Sequence, residues 1–454
     1  MKKVVIIAVL SLLIVGMALP QAKPGGIARQ LALGGSQAGL NAVMNPFLWD
    51  DPSLVFFNPA YQHEYRDYMW SNIAGGQILS TGSTNSDGYG YQNAGVSFGL
   101  SNAFTLGLIL SYDPSAANYV NTLPDEFPGM QRSSQDIPSI QNVWEAVATY
   151  RFTSMTLGLG IMYGWSNNDY KVDQVAPTSA TGEQEASSSV LGFRLGALMK
   201  LGDDADLGIT GVLRLDNTTD RIEYSPGVAG LGGIYEASGT EIQLTARAKI
   251  KMSNKFNFVP YAMLMLLSAE PKETEPPVGL AKTTATLEAS STNYAFGLGG
   301  EYRQNDFLFV GGLSWQHAEI ELNQKATVDT VDNIMGFTGL PVINLGGEWQ
   351  ITEWLAGRIG YYRAIGSVKQ ESKYPNISYE QNTSMPHSWL LIGSLNPNTW
   401  DGLVTLGVGL DFGNFALDAT VSEEALRRGI GIIGASDAIN TFGYMTASYN
   451  FGSK

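Results

Sequence analysis

Apolar residues recur at every second position along most of the chain from Tyr68 onward. In the segment from Glu241 to Met252 the even-numbered residues are apolar, whereas the odd-numbered residues are polar or charged. The segments from Ser189 to Leu201 and from Met155 to Trp165 repeat this pattern. Because successive side chains of a β-strand point to opposite faces, a period of two residues predicts strands with one apolar and one polar face.

The connections between these strands distinguish a membrane barrel from a soluble β-sandwich, which also alternates. Turns of a few residues, such as Thr153-Ser154 and Gly202 to Ala205, alternate with long polar connections. The predicted long loops are Pro114–Ile140, Lys171–Ala186, Ser225–Ser238, Pro271–Ala289, Asn323–Phe337, Glu371–Trp400 and Ser422–Asn440. Alternating short turns and long loops are typical of bacterial outer-membrane barrels, in which strands of about 9 to 11 residues span the bilayer. We therefore predict an all-β fold, a transmembrane antiparallel β-barrel of about 14 to 16 strands, and keep the sandwich as the alternative.

The first 22 residues are typical of a secretory signal peptide. Lys2 and Lys3 precede an apolar run from Val4 to Val15, and cleavage is predicted at Ala18 or Ala22. The run is shorter than the roughly 20 residues that a membrane-spanning helix needs. We therefore predict that the chain is exported and that the mature protein resides in the bacterial outer membrane.

Composition and charge limit the kinds of molecule that the protein is expected to bind. The chain has no cysteine, which excludes disulfides and thiolate metal sites. Removal of Lys2 and Lys3 changes the formal net charge from −15 to −17, and such an acidic chain does not favour binding to nucleic acid. Outer-membrane lipids are the expected surroundings, because tyrosine and tryptophan near the ends of segments suit the headgroup level.

Residues 23–67 do not alternate, and they are too few to build a core of their own. We predict that they form an N-terminal hatch, or plug, inside a barrel made of residues 68–454. Within this segment carboxylates, turn-forming residues and phenylalanines stand close together, which predicts two turns flanking an apolar anchor. The predicted hatch motif consists of Asp50, Asp51, Phe56, Phe57, Asn58, Pro59 and Ala60.

The order of these motifs resembles the beginning of the FadL-type outer-membrane transporters of long-chain fatty acids and other hydrophobic compounds. Gly34-Gly35 is followed by Asp50-Asp51-Pro52-Ser53 and then by Phe56-Phe57-Asn58-Pro59-Ala60. Related barrels of the PorV type, which serve protein secretion, begin in a similar way. The resemblance implies a hatch that plugs a barrel of about 14 strands, an apolar lumen that holds the ligand, and exit of the ligand sideways through the wall. Tyr61-Gln62 and the higher strand count depart from the family pattern.

The resemblance also places the asparagine-proline-alanine turn near a kink in the third strand. Here the third predicted strand, Phe104 to Tyr112, runs into Asp113-Pro114. Because proline cannot donate to a sheet ladder, Pro114 either opens a lateral gap or starts the outer loop, and the second interpretation is favoured.

Charged residues on the predicted inner face are candidates for lining the lumen. They either line an open pore or pair with one another and with the hatch, and we favour pairing because buried charges need partners. These residues are Glu145, Arg151, Arg194, Arg214, Asp216, Arg247 and Lys249.

The chain shows no pattern typical of an enzyme. His63, His317 and His387 are too scattered for a metal-ligand spacing, and no Gly-x-Ser-x-Gly nucleophile motif accompanies them. We therefore expect no catalytic residue, no metal and no cofactor.

Together these features predict an outer-membrane transport protein for hydrophobic small molecules, such as long-chain fatty acids, that works by plugged-barrel uptake. The alternative is a PorV-like secretion or scaffold barrel that binds exported proteins, and a general porin is the third hypothesis. Tyr449-Asn450-Phe451 resembles the aromatic terminal signature recognised by the barrel-assembly machinery, although Gly452-Ser453-Lys454 follow it.

Overall fold

The structure is a computed structural model, and it describes residues 25–35, 45–74, 93–111, 140, 142–173, 181–225, 232–275, 286–325, 330–374, 377–385, 403–421 and 442–452. The predicted signal peptide, His387 and Asp113-Pro114 lie outside the described residues. Among the described residues, no helix combines the length and the apolar character needed to cross a membrane.

One closed antiparallel sheet makes up the wall. Its strands are β1 Tyr68–Ala74, β2 Asn93–Gly99, β3 Phe104–Ser111, β4 Asn142–Arg151, β5 Met155–Asp173, β6 Thr181–Lys200, β7 Ala205–Ser225, β8 Gly233–Lys251, β9 Phe256–Glu275, β10 Thr286–Gln304, β11 Phe307–Lys325, β12 Thr330–Thr352, β13 Leu355–Tyr374, β14 Ile377–Met385, β15 Leu403–Asp411, β16 Phe415–Val421 and β17 Phe442–Asn450. The sheet closes because β1 pairs with both β2 and β17, so that Tyr68 lies between Ser97 and Asn450. Closure leaves every strand a partner, as a sheet in lipid requires.

The 17 strands occupy 16 positions around the wall. β13 pairs with β14 along its second half and with β15 along its first half, so these two strands share one position. This agrees with the predicted count, and the predicted fold class is confirmed.

The outer surface of the wall is apolar. On β5 the outward-facing residues Leu157, Leu159, Ile161, Tyr163 and Trp165 are exposed. Thr156, on the inner face of the same strand, is buried. On β8 the apolar Ile242 and Leu244 are exposed and the charged Glu241 and Arg247 are buried. This arrangement is the reverse of a soluble sandwich, and it places hydrocarbon-compatible side chains where lipid surrounds the barrel.

The two ends of the barrel differ. At the turn end, short connections such as residues 152–154 and 201–204 join the strands. At the opposite, extended end, β5 to β13 run on to lengths of 19 to 23 residues. Strands of this length exceed the 9 to 11 residues that span a bilayer by roughly a factor of two, so this part of the wall rises beyond the membrane.

The predicted loops on that side are therefore corrected. β5 continues to Asp173 and β6 begins at Thr181, inside the loop predicted for Lys171–Ala186. The loops predicted for Ser225–Ser238, Pro271–Ala289, Asn323–Phe337 and Glu371–Trp400 likewise contain strand residues. A ladder is held by backbone hydrogen bonds, which continue through polar residues once the neighbouring strand is in register. Most of the loops predicted for Pro114–Ile140 and Ser422–Asn440 lies outside the described residues.

The described residues 25–35 and 45–67, which we call the hatch, pack against the inner face of the wall at the turn end. The hatch contains helix α1 Ile27–Ala32, the short helix α2 Leu54–Phe57 and a 3₁₀ helix Pro59–His63. Its buried residues form three apolar clusters with the wall. These lie around Leu54, Val55, Tyr61 and Tyr65, around Leu33, Phe47 and Leu48, and around Ile27, Ala28 and Leu31.

Candidate functional site

The turn at Asn58-Pro59-Ala60 ties the hatch to the wall through backbone groups. Asn58 is extended, and its Oδ1 accepts a hydrogen bond from the Ala60 backbone N–H at 2.9 Å, which caps the 3₁₀ helix. Its Nδ2 donates to the carbonyl oxygens of Ala197 and Ile209, at 3.1 and 3.2 Å. These two carbonyls belong to the paired strands β6 and β7, so one side chain bridges two wall strands.

Glycines on the inner face make this close approach possible. A Cβ atom at Gly158 would overlap Pro59 and Ala60, and one at Gly196 would overlap Asn58. A third glycine, Gly107 on β3, faces the side chain of Gln62 in the same way. We call Gly107, Gly158 and Gly196 the glycine cradle.

The outer surface of the wall has a depression behind the cradle. Its volume is about 580 Å³, and Gly158 and Gly196 line it together with apolar residues such as Leu157, Leu195 and Ile209. At this place a single layer of backbone separates the hatch turn from the lipid-facing surface.

Arg194 is the main charged contact between the wall and α2. Its guanidinium forms a bidentate ion pair with Glu145, with nitrogen–oxygen distances of 2.6 and 2.7 Å. Its third nitrogen donates to the carbonyl oxygens of Val55 and Phe56, at 3.0 and 2.5 Å. Because Arg194 and Glu145 are both buried, the pair holds the last turn of α2 without leaving an unpaired charge.

Arg247 holds the hatch through aromatic rings rather than through an acid. Its Nη2 donates to the Leu48 carbonyl at 2.5 Å, and its guanidinium lies 5.2 Å from the ring centres of Trp49 and of Phe57. No carboxylate lies within ion-pair distance of it in the part of the chain that the structure describes. Lys249, two residues further on, pairs with Asp206 at 2.9 Å and lies over the same Trp49 ring.

A second ionic cluster holds α1, and sequence reasoning missed it. Arg29 pairs with Asp51 at 3.1 Å within the hatch and with Glu348 on β12 at 2.8 Å. Glu348 also pairs with Arg358 at 2.6 Å, and Arg358 lies 2.6 Å from Asp418. The backbone N–H groups of Gly25 and Gly26 donate to Asp418 and Asp51 at 2.9 and 3.0 Å. The alternation of β12, β13 and β16 is the signal that could have placed Glu348, Arg358 and Asp418 on the inner face of the wall.

The remaining predicted residues do not form one site. Asp50 accepts a hydrogen bond from Arg29 at its backbone oxygen, at 2.8 Å, and one from the Tyr65 hydroxyl at Oδ1, at 3.1 Å. Arg151 lines a pocket of about 330 Å³ at the turn end together with Asp50 and Lys249. Further from the hatch, Arg214 pairs with Glu241 at 3.2 Å, and Asp216 is buried. The seven candidate lumen residues therefore do not converge on one place.

Beyond the hatch, toward the extended end, the inner face carries two apolar clusters. On one side of the wall the cluster consists of Ile140, Val143, Met162 and Val190. On the other side it consists of Ala318, Phe337, Val342, Tyr362 and Ala364. On β5, β12 and β13 these residues lie one to three inward positions past Gly160, Asn344 and Gly360. Of these three, Asn344 and Gly360 contact the hatch residue Gly34.

The described histidines make polar contacts with single threonines. His63 Nδ1 lies 3.1 Å from Thr105 Oγ1, and His317 Nδ1 lies 2.9 Å from Thr338 Oγ1. Burial lowers the pKa of His63, and the nearby Arg151 lowers it further. Within the described ranges, no three His, Asp or Glu side chains come together as they would around a metal ion.

The chain is similar to several solved barrels. A FadL homologue from Pseudomonas aeruginosa is 12% identical, with a TM-score of 0.41 over 96% of this chain and 100% of that one. The toluene transporter TodX from Pseudomonas putida is 11% identical, with a TM-score of 0.35 over 95% and 98%. The ferric citrate transporter FecA is 10% identical, with a TM-score of 0.35 over 84% and 78%. At such low values the likeness assigns no function.

No protein-family model matches the sequence, and no curated protein matches it either.

Proposed function

We propose that the protein is an outer-membrane transport protein that carries hydrophobic small molecules, long-chain fatty acids among them, through a plugged barrel. The observation that carries the proposal is the pair of apolar clusters on the inner face directly beyond the hatch. The lumen of a general porin is polar and filled with water, whereas apolar inner walls favour a ligand that leaves water.

The turn end faces the periplasm in this proposal. The extended end then faces the outside, as the large outer loops of such barrels do. A ligand that reaches the apolar clusters from outside meets the hatch next. We propose that it leaves through the wall at the glycine cradle, where the hatch turn and the lipid-facing depression are separated by one layer of backbone.

Uptake measurements on the unmodified protein and on a variant with a charge added to the lumen test the transport proposal. We expect expression in a bacterial strain without its own fatty-acid channel to restore uptake of radiolabelled oleate. Ala364→Glu, which adds a charge to the second apolar cluster, should lower this uptake by about tenfold or more, because an unpaired buried carboxylate is costly.

The matched control is Ser187→Glu, which adds the same charge at an exposed position of β6 and should leave uptake unchanged. Heat-modifiable migration in gels checks that both barrels fold. Oleate uptake that is absent from the unmodified protein, or that Ala364→Glu does not change, would contradict the proposal. Swelling of liposomes in sugars would indicate a general porin instead.

The PorV-like alternative is favoured by one observation, the polar outer surface of the extended wall. Exposed ion pairs such as Lys171–Glu183 and Arg221–Glu223 lie on this surface. A surface outside the membrane is accessible to an exported protein. Purification from the native cell should then yield such a protein in stoichiometric amount, and Ala364→Glu should leave that complex intact.

Two further partners belong to this proposal. Lipids of the outer membrane cover the apolar outer surface. The barrel-assembly machinery recognises the end of the last strand, where Tyr449 and Phe451 are exposed and the Phe451 ring lies 5.7 Å from that of Phe98.

A further inference from the structure

Four polar side chains lie beside the second apolar cluster, on three neighbouring strands of the inner face. Tyr261 on β9, Asn293 on β10 and Ser314 and Gln316 on β11 face inward, and each is at most 6% exposed. We call these four residues the polar row. The function proposed above uses none of them.

The polar row lies directly beyond the hatch. Tyr261 pairs with Gly297, which pairs with Ser314, and a Cβ atom on Gly297 would overlap the Tyr261 ring and lie 2.8 Å from Ser314 Cβ. The glycine therefore lets the tyrosine lie across β10, with its hydroxyl facing Ser314 and Gln316. The other side of the ring packs on Phe47 of the hatch, with ring centres 5.6 Å apart.

The row adjoins the second apolar cluster. Ser314 pairs with Val342, whose neighbours in that cluster include Ala318 and Phe337. The pairing of β11 with β12 shifts register between Ser314 and Gln316, and β12 shifts against β13 at the same level. Irregularities of this kind re-aim side chains beside functional sites. A polar group and an apolar surface therefore lie side by side.

The polar atoms of the row are not satisfied in ordinary hydrogen-bond geometry. Asn293 Oδ1 is buried without a hydrogen bond in the described part of the chain, and Tyr261 Oη, Ser314 Oγ and Gln316 Oε1 face one another but are likewise buried without a bond of ordinary geometry. The Asn293 amide nitrogen already donates to Ser291 Oγ at 3.0 Å. A buried polar atom without a partner costs free energy, so these atoms favour a molecule that supplies the missing hydrogen bonds.

The kind of atom decides the chemistry. Two of the four atoms are amide oxygens, which only accept, and two are hydroxyl oxygens, which both accept and donate. The two amide oxygens therefore need a hydrogen-bond donor, and the two hydroxyl oxygens can accept from one as well. Arg247, which pairs with Tyr261 in the sheet, directs its guanidinium to the Leu48 carbonyl and to the rings of the hatch. No cation of the row itself is present to balance an anion.

We propose that the polar row binds the uncharged, hydrogen-bond-donating end of an otherwise apolar ligand, such as an alcohol, a phenol or a primary amide. The apolar part of the ligand lies along Val342, Phe337 and Ala318. This inference rests on the proposed function and, among the hydrophobic molecules proposed there, assigns this part of the lumen a preference for uncharged ligands over fatty-acid anions. It also places the bound group against Tyr261 and hence next to Phe47 of the hatch.

Retention of three labelled compounds on the immobilised full-length protein tests the inference. The compounds are dodecane, 1-dodecanol and dodecanoate at pH 8, each measured in detergent against beads without protein. We expect the alcohol to be retained better than the alkane and the carboxylate. Tyr261→Phe and Gln316→Leu should each reduce retention of the alcohol by about two- to tenfold, the usual value of one neutral hydrogen bond, and leave the alkane unchanged.

The control is Tyr163→Phe, which removes a hydroxyl from the lipid-facing surface and should change nothing. Equal retention of alkane and alcohol by the unmodified protein, or an alcohol preference that persists in both variants, would overturn the inference while leaving the proposed function intact. Stronger retention of dodecanoate would overturn it in favour of an anionic ligand. Retention of none of the compounds would overturn both.

Discussion

At the scale of single residues, glycines and one asparagine determine how closely the hatch approaches the wall. The side chain of Asn58 reaches the carbonyl groups of β6 and β7 only because Gly196 carries no side chain. The sequence shows a turn at Asn58-Pro59. It does not show that glycines on separate strands lie side by side under this turn, because that depends on the register of the sheet. For this reason the alternation predicted which residues face inward and did not predict their partners.

Gly196→Ala should loosen the hatch. The added methyl group overlaps Asn58, and overpacking of this kind costs about 1–3 kcal/mol. We expect a lower melting temperature and a larger ion conductance in planar bilayers. Gly211→Ala is the matched control, since its Cβ meets only Leu244 at an ordinary 3.6 Å. Equal conductance of the two variants would contradict the role of the cradle.

His63 should make the hatch sensitive to acid. Its lowered pKa in the docked hatch means that protonation favours the undocked state. The contribution of His63 to the stability of the docked hatch is therefore fully present above 6.5, the ordinary pKa of histidine, and is lost as the pH falls below that value. Hydrogen–deuterium exchange of residues 58–67 should quicken between pH 7 and pH 5, after correction for the intrinsic rate. His63→Gln should weaken this dependence, and His317→Gln should preserve it.

At the scale of elements, two ionic clusters hold the two halves of the hatch against different parts of the wall. Arg194 and Glu145 hold α2 against β4 and β6, whereas Arg29 and Glu348 hold α1 against β12. Arg194 and Glu145 stood out in the sequence because they are charged residues on the polar face of strongly alternating strands. Arg29 lies in a segment without any period, so no pattern predicted its contacts.

Glu348→Gln should release α1. The substitution removes the carboxylate that Arg29 and Arg358 share and leaves each with one acid, Asp51 and Asp418. Complete loss of a buried pair costs about 3–5 kcal/mol, which is the upper bound here. We expect faster hydrogen–deuterium exchange in residues 25–35 and unchanged exchange in the extended wall. Glu223→Gln, which breaks an exposed pair with Arg221, should have almost no effect. Protection of residues 25–35 that survives Glu348→Gln would show that the cluster does not hold the helix.

At the scale of the whole molecule, the wall is of unequal height. Nine strands, β5 to β13, rise beyond the membrane, and β14 pairs with the outer half of β13. By contrast, β1 to β4 and β15 to β17 have only 7 to 10 residues each. The sequence predicted the membrane-spanning halves, because lipid demands apolar residues at alternate positions. It did not predict the outer halves of these strands. A strand that water surrounds needs no apolar face, so its sequence has no period of two and resembles that of a loop.

Because the chain contains no cysteine, introduced cysteines report the orientation directly. Ser187→Cys, on the extended wall, should react with a membrane-impermeant maleimide on intact cells. Asp203→Cys, in a turn at the other end, should react only after the outer membrane is permeabilised, and lipid-facing Leu195→Cys should react in neither case. Labelling of Asp203→Cys on intact cells would reverse the proposed orientation.

The contacts of α1 also bear on how the protein matures. Gly25 and Ala28 donate to Asp418 and Thr446, which lie 393 and 418 residues further along the chain. Gly25 and Ala28 are synthesised long before β16 and β17, and they reach these partners only after those two strands have been made. Contacts between such distant residues slow folding. The barrel wall must therefore be complete before the hatch can dock stably inside it.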